Sequence, residues 1–270
     1  MPQVSVIIVS YNTQDMVTQC LQSLEDHGDV SYEVILVENH PRGDVSRVQE
    51  AFSYITVVYN SENTGFGGGN NVGVSYAKGA YLLCLNPDTR VQSGQLSRLV
   101  HILQEDPQIG SIGCALMQTT STLQPHQYGQ TLTVRNLLTQ SFAFPQEACS
   151  PSQIPEWHSV EWHSGGAFIC RKEVFEDVGG FDERFFLYFE DMDLCARLRM
   201  NGYACYWTSY VQIYHEEGGT QAQTLRMKRR YYASQRTYMR TYRGILQAWL
   251  LMPLHLIKLG YMYITQSRSD

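Results

Sequence analysis

Five short apolar runs, separated by stretches whose apolar residues recur at helical spacing, fill the first 114 residues and restrict the architecture more than any other feature. Val4–Val9 (VSVIIV) reads as a strand buried on both faces. Met16, Val17, Cys20, Leu21 and Leu24 then follow the i, i+4, i+8 spacing of an amphipathic helix. Residues 33–38 form a second strand, Val45, Val48 and Phe52 mark a helix, and Ile55–Tyr59 forms a third strand. A glycine-rich turn leads to a helix ending near Lys78, then a strand over Ala80–Leu85. Leu96, Leu99, Val100 and Leu103 mark another helix before a strand over Ile109–Cys114. This βαβα order predicts an α/β fold: a mostly parallel sheet with helices on both faces. In such sheets ligands bind beyond the carboxyl ends of the strands. Ser10-Tyr11-Asn12, Glu38-Asn39, Asn60–Gly69 and Asn86–Asp88 all fall at those ends and are expected to line one crevice. From Gln118 to about Val160 the pattern gives way to Gln, Thr, Ser and Pro, which predicts long loops with a short hairpin.

The chain is long enough to bury a substantial core, and its 43% apolar and 17% charged content is that of a globular protein. Seven scattered Cys without a C-x-x-C pair argue against a disulfide framework or zinc finger and for small buried hydrophobes in a reducing compartment. Val4–Val9 is too short for a signal-peptide core and lacks a basic region before it. The net charge of −6 is unevenly spread: residues 1–220 carry 25 acids against 11 Lys/Arg, and residues 221–270 carry nine Lys/Arg against Asp270 alone. An anionic partner is therefore expected for the tail only. Residues 225–242 mix Arg with Tyr and Met at helical spacing, and Ile245–Ile264 is apolar but broken by Gln247, Pro253, His255 and Lys258. A spanning helix needs roughly 20 predominantly apolar residues, so a peripheral membrane contact through residues 222–264 fits better. The plainer alternative is a C-terminal helical pair packed on the body.

Three segments carry chemistry. Pro87 cannot continue a central ladder, so Asn86-Pro87-Asp88 must leave the sheet with Asp88 at the strand end. That Asp could close an Asx turn, or it could hold Mg2+ or Mn2+ on a diphosphate, where one or two protein carboxylates suffice. Asn63-Thr64-Gly65-Phe66-Gly67-Gly68-Gly69-Asn70-Asn71 fails the dinucleotide fingerprint, because the sixth position from Gly65 is Asn70 and from Gly67 is Val72. Its glycines instead suit close approach to a ligand or tight packing, with a helix N-terminus facing an anion. Glu190, Asp191 and Asp193 open a helix behind Phe185–Phe189 (FFLYF) and are more than its dipole needs. An apolar wall beside them can raise a carboxylate pKa into the range useful for a base. The next strand ends on His215, and Trp162, Gly165 and Gly166 offer a flat face and close backbone approach to a substrate, or simply a tight bend.

Together VSVIIVSYN, VENHPRGDVS, ENTGFGGGNNVG, LLCLNPDTRV, the stretch from Gly165 to Tyr203 and the His215 region resemble glycosyltransferase family 2, inverting enzymes with the GT-A fold, over residues 3–220. The rhamnosyltransferase-like branch is the most similar. The resemblance implies that Ser10, Tyr11, Asn12, Glu38 and Asn39 hold the nucleoside of a nucleoside-diphosphate sugar. It implies that Asn63, Gly65 and Asn71 approach ribose or phosphate, and that Asp88 carries the metal with His215. Asp191 becomes the general base, Glu190 its orienting or acceptor-contacting neighbour, and Trp162, Gly165 and Gly166 the acceptor or sugar pocket. The implied product is a surface polysaccharide built on a saccharide or lipid-linked acceptor at the cytoplasmic face of a membrane. Residues 1–220 form the GT-A domain and residues 221–270 a basic helical extension that could also pair two copies. Glu38 stands where the family usually has Asp, and His215-Glu216-Glu217-Gly218-Gly219-Thr220 carries one glycine more than the family's His-x-x-Gly-x-Ser. A non-catalytic sugar-nucleotide or glycan-binding protein is the competing expectation, and the acidic body argues against a nucleic-acid partner.

Overall fold

The computed structural model describes residues 2–93, 95–139, 143–145, 147–216, 225–253, 255–256 and 258–259. The predicted alternation is present as β1 (Val4–Ser10), α1 (Gln14–His27), β2 (Tyr32–Glu38), α2 (Ser46–Ala51), β3 (Thr56–Tyr59), α3 (Gly65–Ser75) and β4 (Tyr81–Leu85). Then come β5 (Thr89–Ser93), α4 (Leu96–Glu105), β6 (Ile109–Met117), β7 (Tyr128–Gly129), α5 (Val134–Leu138) and β8 (Ala143–Phe144). The rest comprises β9 (Trp157–Val160), β10 (Trp162–His163), β11 (Ala167–Arg171), α6 (Lys172–Asp177), α7 (Glu190–Met200), β12 (Ala204–His215), α8 (Leu225–Arg243) and α9 (Ile245–Leu250).

The main sheet runs β3-β2-β1-β4-β11-β6-β12-β5, with β9 also on β12. β3, β2, β1 and β4 are parallel, as the crossover helices require. β11 enters antiparallel between β4 and β6, with Ala167 opposite Leu85. The start of β11 therefore lies beside the carboxyl end of β4. Alternate residues of β1 face opposite layers. Val6 and Ile8 meet Leu21, Leu24 and Leu99 of one helical layer. Ile7 and Val9 belong to the other layer with Val74, Leu194 and Leu198.

Two expectations change. The consecutive glycines lie inside α3, not in a turn before it. A Cβ at Gly69 would stand 2.6 Å from Val9 Cγ1 and one at Gly73 2.5 Å from Ile7 Cγ2, so these positions set how closely α3 sits on the sheet. Second, residues 118–160 do not end in an isolated hairpin, since β7 and β8 join β10, just beyond them, in a second small sheet. As in the plainer alternative for the tail, α8 is packed on the body: Tyr232, Gln235, Tyr238 and Met239 are buried, and Tyr238 and Met239 join the α7 side of the core. No described helix is long and apolar enough to cross a membrane.

Candidate active site

The residues expected to hold the donor nucleoside divide into an open set and a bracing set. Tyr11 is 42% exposed and meets His40 edge to face at 4.9 Å. Asn12 lies beside it in the left-handed region, with φ 61°. Glu38, by contrast, is fully buried. Its Oε2 accepts from Ser10 Oγ at 2.8 Å, and its Oε1 accepts from the amides of His40 at 2.8 Å and Asn12 at 3.2 Å. Glu38 and Ser10 therefore fasten the Tyr11-Asn12 loop. Asn39 is a hub: its Nδ2 donates to Gly65 O at 2.8 Å and Asn63 Oδ1 at 3.2 Å, while its Oδ1 accepts from Asn60 Nδ2 at 2.9 Å and Thr64 Oγ1 at 3.1 Å. Asn63 Oδ1 also accepts from Gly65 N at 2.9 Å. Gly65 has φ +78° with the Phe186 carbonyl against the space a Cβ would need. Asn71 is spent on the backbone of Phe181, donating and accepting at 2.9 Å each.

At the end of β4, Asn86, Asp88 and His215 come together. Pairing of β12 with β5 sets His215 opposite Thr89, so its ring reaches the Asn86–Asp88 turn. His215 Nε2 is 3.3 Å from Asp88 Oδ1 and 3.4 Å from Asn86 Nδ2. Its Nδ1 is 2.9 Å from Gln124 Oε1, while Gln124 Nε2 donates to the His215 carbonyl at 3.1 Å. An amide oxygen only accepts, so Gln124 fixes the proton on Nδ1 and leaves Nε2 to face Asp88. Neighbouring ligands of an octahedral ion at about 2.1 Å stand about 3.0 Å apart. The Nε2–Oδ1 separation fits such an edge, and the buried Asn86 Oδ1, in the same turn as Asp88, has no hydrogen-bond partner among the described residues. Among the described residues no three His, Cys, Asp or Glu side chains converge, so the remaining ligands would be diphosphate oxygens and water. Gly218, Gly219 and Thr220 of the expected His motif lie outside the described residues. Gln124 gave no signal in a Gln- and Thr-rich stretch. Gln124→Leu is expected to weaken Mn2+ binding by about 10- to 100-fold, read by electron paramagnetic resonance of the free ion. Unchanged affinity would remove Gln124 from this role.

The three acids of α7 have separate fates. Asp193 is bound by Arg197 Nη2 at 2.7 Å and accepts from Tyr242 Oη at 2.7 Å, which makes it structural. Asp191 Oδ1 accepts from the Met192 amide at 2.8 Å and Oδ2 from the Gly165 amide at 3.1 Å. Burial raises its pKa, with those amides working against the rise. Glu190 is buried, and its Oε2 has no hydrogen-bond partner among the described residues. Burial first, and the neighbouring Asp191 second, push its pKa well above the ordinary range. The glycine pair joins the two ends of the site: the Gly165 amide holds Asp191, and the Gly166 carbonyl accepts from Asn86 N at 2.9 Å. A Cβ at Gly165 would come 3.1 Å from Phe66 Cε1. Trp162 is buried, with Nε1 donating to Gln130 O at 3.0 Å.

Asp191, Glu190, Trp162, Gly165, Gly166, Asn86 and His215 line one cavity of about 710 Å³. Residues of α8, with His255 and Lys258, line the same cavity, which the sequence did not indicate. Tyr188 and Phe189 both have φ 69°, an uncommon pair of left-handed residues immediately before the acids. α8 holds that turn. Tyr231 packs against Tyr188 at 5.5 Å and Phe189 at 5.2 Å, Tyr238 against Phe189 at 5.8 Å, and Ser234 Oγ donates to Leu187 O at 2.9 Å.

The profile of the family described as Glycosyl transferase family 2 matches residues 5–190. The chain is 24% identical over 220 residues to Rhamnosyltransferase WbbL of Escherichia coli (strain K12), covering 78% of this chain and 81% of that protein. It is 26% identical over 148 residues to the N-acetylglucosaminyl-diphospho-decaprenol L-rhamnosyltransferase of Mycobacterium tuberculosis (strain ATCC 25618 / H37Rv), about half of each protein (51% and 47%). Among solved structures, mannosyltransferase PcManGT from Pyrobaculum calidifontis, in complex with GDP-Man and Mn2+, superposes with TM-score 0.62 at 17% identity, over 100% of this chain and 76% of that one. GalNAc-T7 with UDP, GalNAc and Mn2+ superposes with TM-score 0.63 at 15% identity, over 88% and 48%. The chain shares the GT-A fold of these structures.

Proposed function

Since this chain belongs to glycosyltransferase family 2, we propose that it is a metal-dependent, inverting transferase acting in surface polysaccharide synthesis. It moves a hexose, rhamnose by the names of its relatives, from a nucleoside-diphosphate sugar to a saccharide or lipid-linked acceptor. The observation that carries this reading is the bridge Asn86–Gly166–Gly165–Asp191, which ties the cation end of the cavity to the base end.

Tyr11 and Asn12 are the open residues against which the nucleoside rests, and Asp88 and His215 would hold Mg2+ or Mn2+. When bound, the cation supplies charge neutralisation for the departing diphosphate. Asp191 takes the proton of the acceptor hydroxyl as that oxygen bonds to the anomeric carbon. The bond from that carbon to the diphosphate oxygen breaks on the opposite face, which inverts the centre. Glu190, kept neutral by burial, donates a hydrogen bond within the acceptor pocket formed with Trp162 and Gly166.

Residues 1–220 are the transferase body in this reading, and residues 221–270 complete its acceptor side. Ile245, Leu246, Trp249 and Leu250 of α9 are exposed, as is Leu256. An apolar strip beside a basic helix supports peripheral contact with the cytoplasmic face of a membrane.

The test is thermal unfolding with dTDP, UDP, GDP and their sugars in Mn2+, Mg2+ or EDTA. A ligand that binds only the native state raises the apparent melting temperature. One nucleotide is expected to stabilise the protein only when a divalent cation is present. A flat panel would favour the non-catalytic glycan-binding alternative.

A further inference from the structure

Two residues before Gly165, at the end of β10, His163 is only 1% exposed, and both of its ring nitrogens are committed. Nε2 is 2.7 Å from Ser111 Oγ, and Nδ1 is 3.2 Å from the Ser164 carbonyl oxygen. A carbonyl only accepts, so Nδ1 carries the proton, and in the neutral ring Nε2 accepts from the Ser111 hydroxyl. Ser111 is itself buried in β6. The ring is closely confined. A Cβ on Gly113 would stand 2.6 Å from His163 Cγ and 3.1 Å from Nδ1, and the Phe168 ring packs at 5.4 Å.

The Ser164 carbonyl and the Gly165 amide are the two ends of one peptide group. His163 holds the carbonyl end, and the amide end donates to Asp191 Oδ2 at 3.1 Å. That group is planar and does not turn about its C–N bond, so fixing its oxygen also fixes the direction of its N–H. A donor on the oxygen further polarises the group and strengthens the hydrogen bond its amide gives. The rest of Ser164 is spent elsewhere: its amide donates to Gln127 O at 2.8 Å and its Oγ accepts from Gly166 N at 3.1 Å. We propose that His163 is a positioning residue for the base, acting through the Ser164–Gly165 peptide to aim and strengthen the amide that holds Asp191 as an anion. The inference rests on the reading of Asp191 as the base and adds a buried group behind it. The other titratable groups around Asp191 are Glu190 and Asp193 of its own helix, Tyr188 before it, Tyr231 and Lys228 of α8, and His215 in the same cavity. The variants below leave all of these in place.

An Asn side-chain amide stands near the position of Nδ1, and a Gln amide near that of Nε2. His163→Asn therefore keeps a donor for Ser164 O, whereas His163→Gln keeps only a partner for Ser111. Both lose the packing of the ring. Asp191 is followed by NMR of full-length protein carrying isotope-labelled aspartate, its carboxyl signal assigned by its loss in Asp191→Asn. The Gly165 amide favours the anion, so the Asp191 titration should move to higher pH in His163→Gln and stay with wild type in His163→Asn. Hydrolysis of the sugar nucleotide that stabilises the protein, with water as acceptor, is the second readout. His163→Gln should lose kcat by about 10- to 100-fold with KM unchanged, and His163→Asn should recover most of it. Equal behaviour of the two variants overturns the proposal whatever their melting temperatures, since lost packing is common to both. Nitrogen NMR of wild type that finds the imidazole proton on Nε2 alone overturns it too, without either variant having to fold. If Asp191→Asn hydrolyses the donor as fast as wild type, the base assignment fails and the proposal with it. If Asp191→Asn is inactive and the two His163 variants agree, only the role of His163 has failed.

Discussion

Transfer by Asp191→Asn is expected to fall by about 10²- to 10⁴-fold, the range for loss of a positioned base, with nucleoside-diphosphate binding unchanged. Asp191 receives two backbone amides, which favour its anion, whereas the buried Glu190 Oε2 receives no such help. The first proton lost by this pair therefore belongs to Asp191, and Glu190 stays neutral. Glu190→Gln, which keeps a neutral donor of the same shape, should retain most of the transfer rate. Both pKa values are raised, so the acid limb of kcat/KM rises through a pH above the ordinary carboxylate range. Stability follows the same sign. A native pKa above the unfolded value, about 4.3 for glutamate, means that the folded state loses stability as pH climbs from there through the native pKa. Glu190→Gln should thus gain melting temperature relative to wild type as pH increases. An inactive Glu190→Gln beside an active Asp191→Asn would exchange the two assignments.

Tyr238→Ala should cost about 3 kcal/mol or more, the usual result of truncating a fully buried aromatic. At this chain length that lowers Tm by roughly 6–12 °C. Tyr238 is 1% exposed and its ring supports Phe189, one of the two residues with φ 69°. Left-handed residues of this kind persist only where their surroundings hold them. The variant should therefore lose kcat beyond what instability explains at temperatures where it is folded, while binding nucleoside diphosphate and Mn2+ as wild type does. Calorimetry and single-turnover transfer at low temperature provide the check. Unchanged single-turnover rate would show that α8 does not hold the base. Removal of residues 222–270 would for the same reason damage the site itself, so that deletion cannot isolate membrane contact.

The alternation of apolar runs was sufficient to place β1 to β4 and the crevice at their ends, because strands buried on both faces have a strong local signature. Asp191, Asp88 and His215 were legible as types of group at the ends of elements. What Glu38, Asn39 and Asn71 do was not, since hydrogen bonds across 21 to 110 residues leave no local pattern. Gln124 is an ordinary polar residue until the β12–β5 pairing brings His215 to it. β11 is similar: a run such as AFICR does not state which neighbours it will join or in which direction. The glycines of α3 were legible as suited either to close ligand approach or to tight packing, and the packing is what the structure shows. Their cause is the proximity of Val9 and Ile7, which only the packed layers reveal.

The antiparallel entry of β11 has a consequence for how such a chain can diversify. Asn86 and Asp191 stand one hydrogen bond on either side of the same dipeptide, so the proposed leaving-group and nucleophile ends share one frame. Neither end can be retuned by lengthening a loop without disturbing the other. Other lining residues come from α8 and the segment after it, which contribute no strand to the main sheet. On the proposed function, inheritance of the reaction and choice of acceptor would be lodged in different stretches of chain. A descendant could exchange its C-terminal fifty residues for another partner's sugar while the displacement chemistry passed down intact.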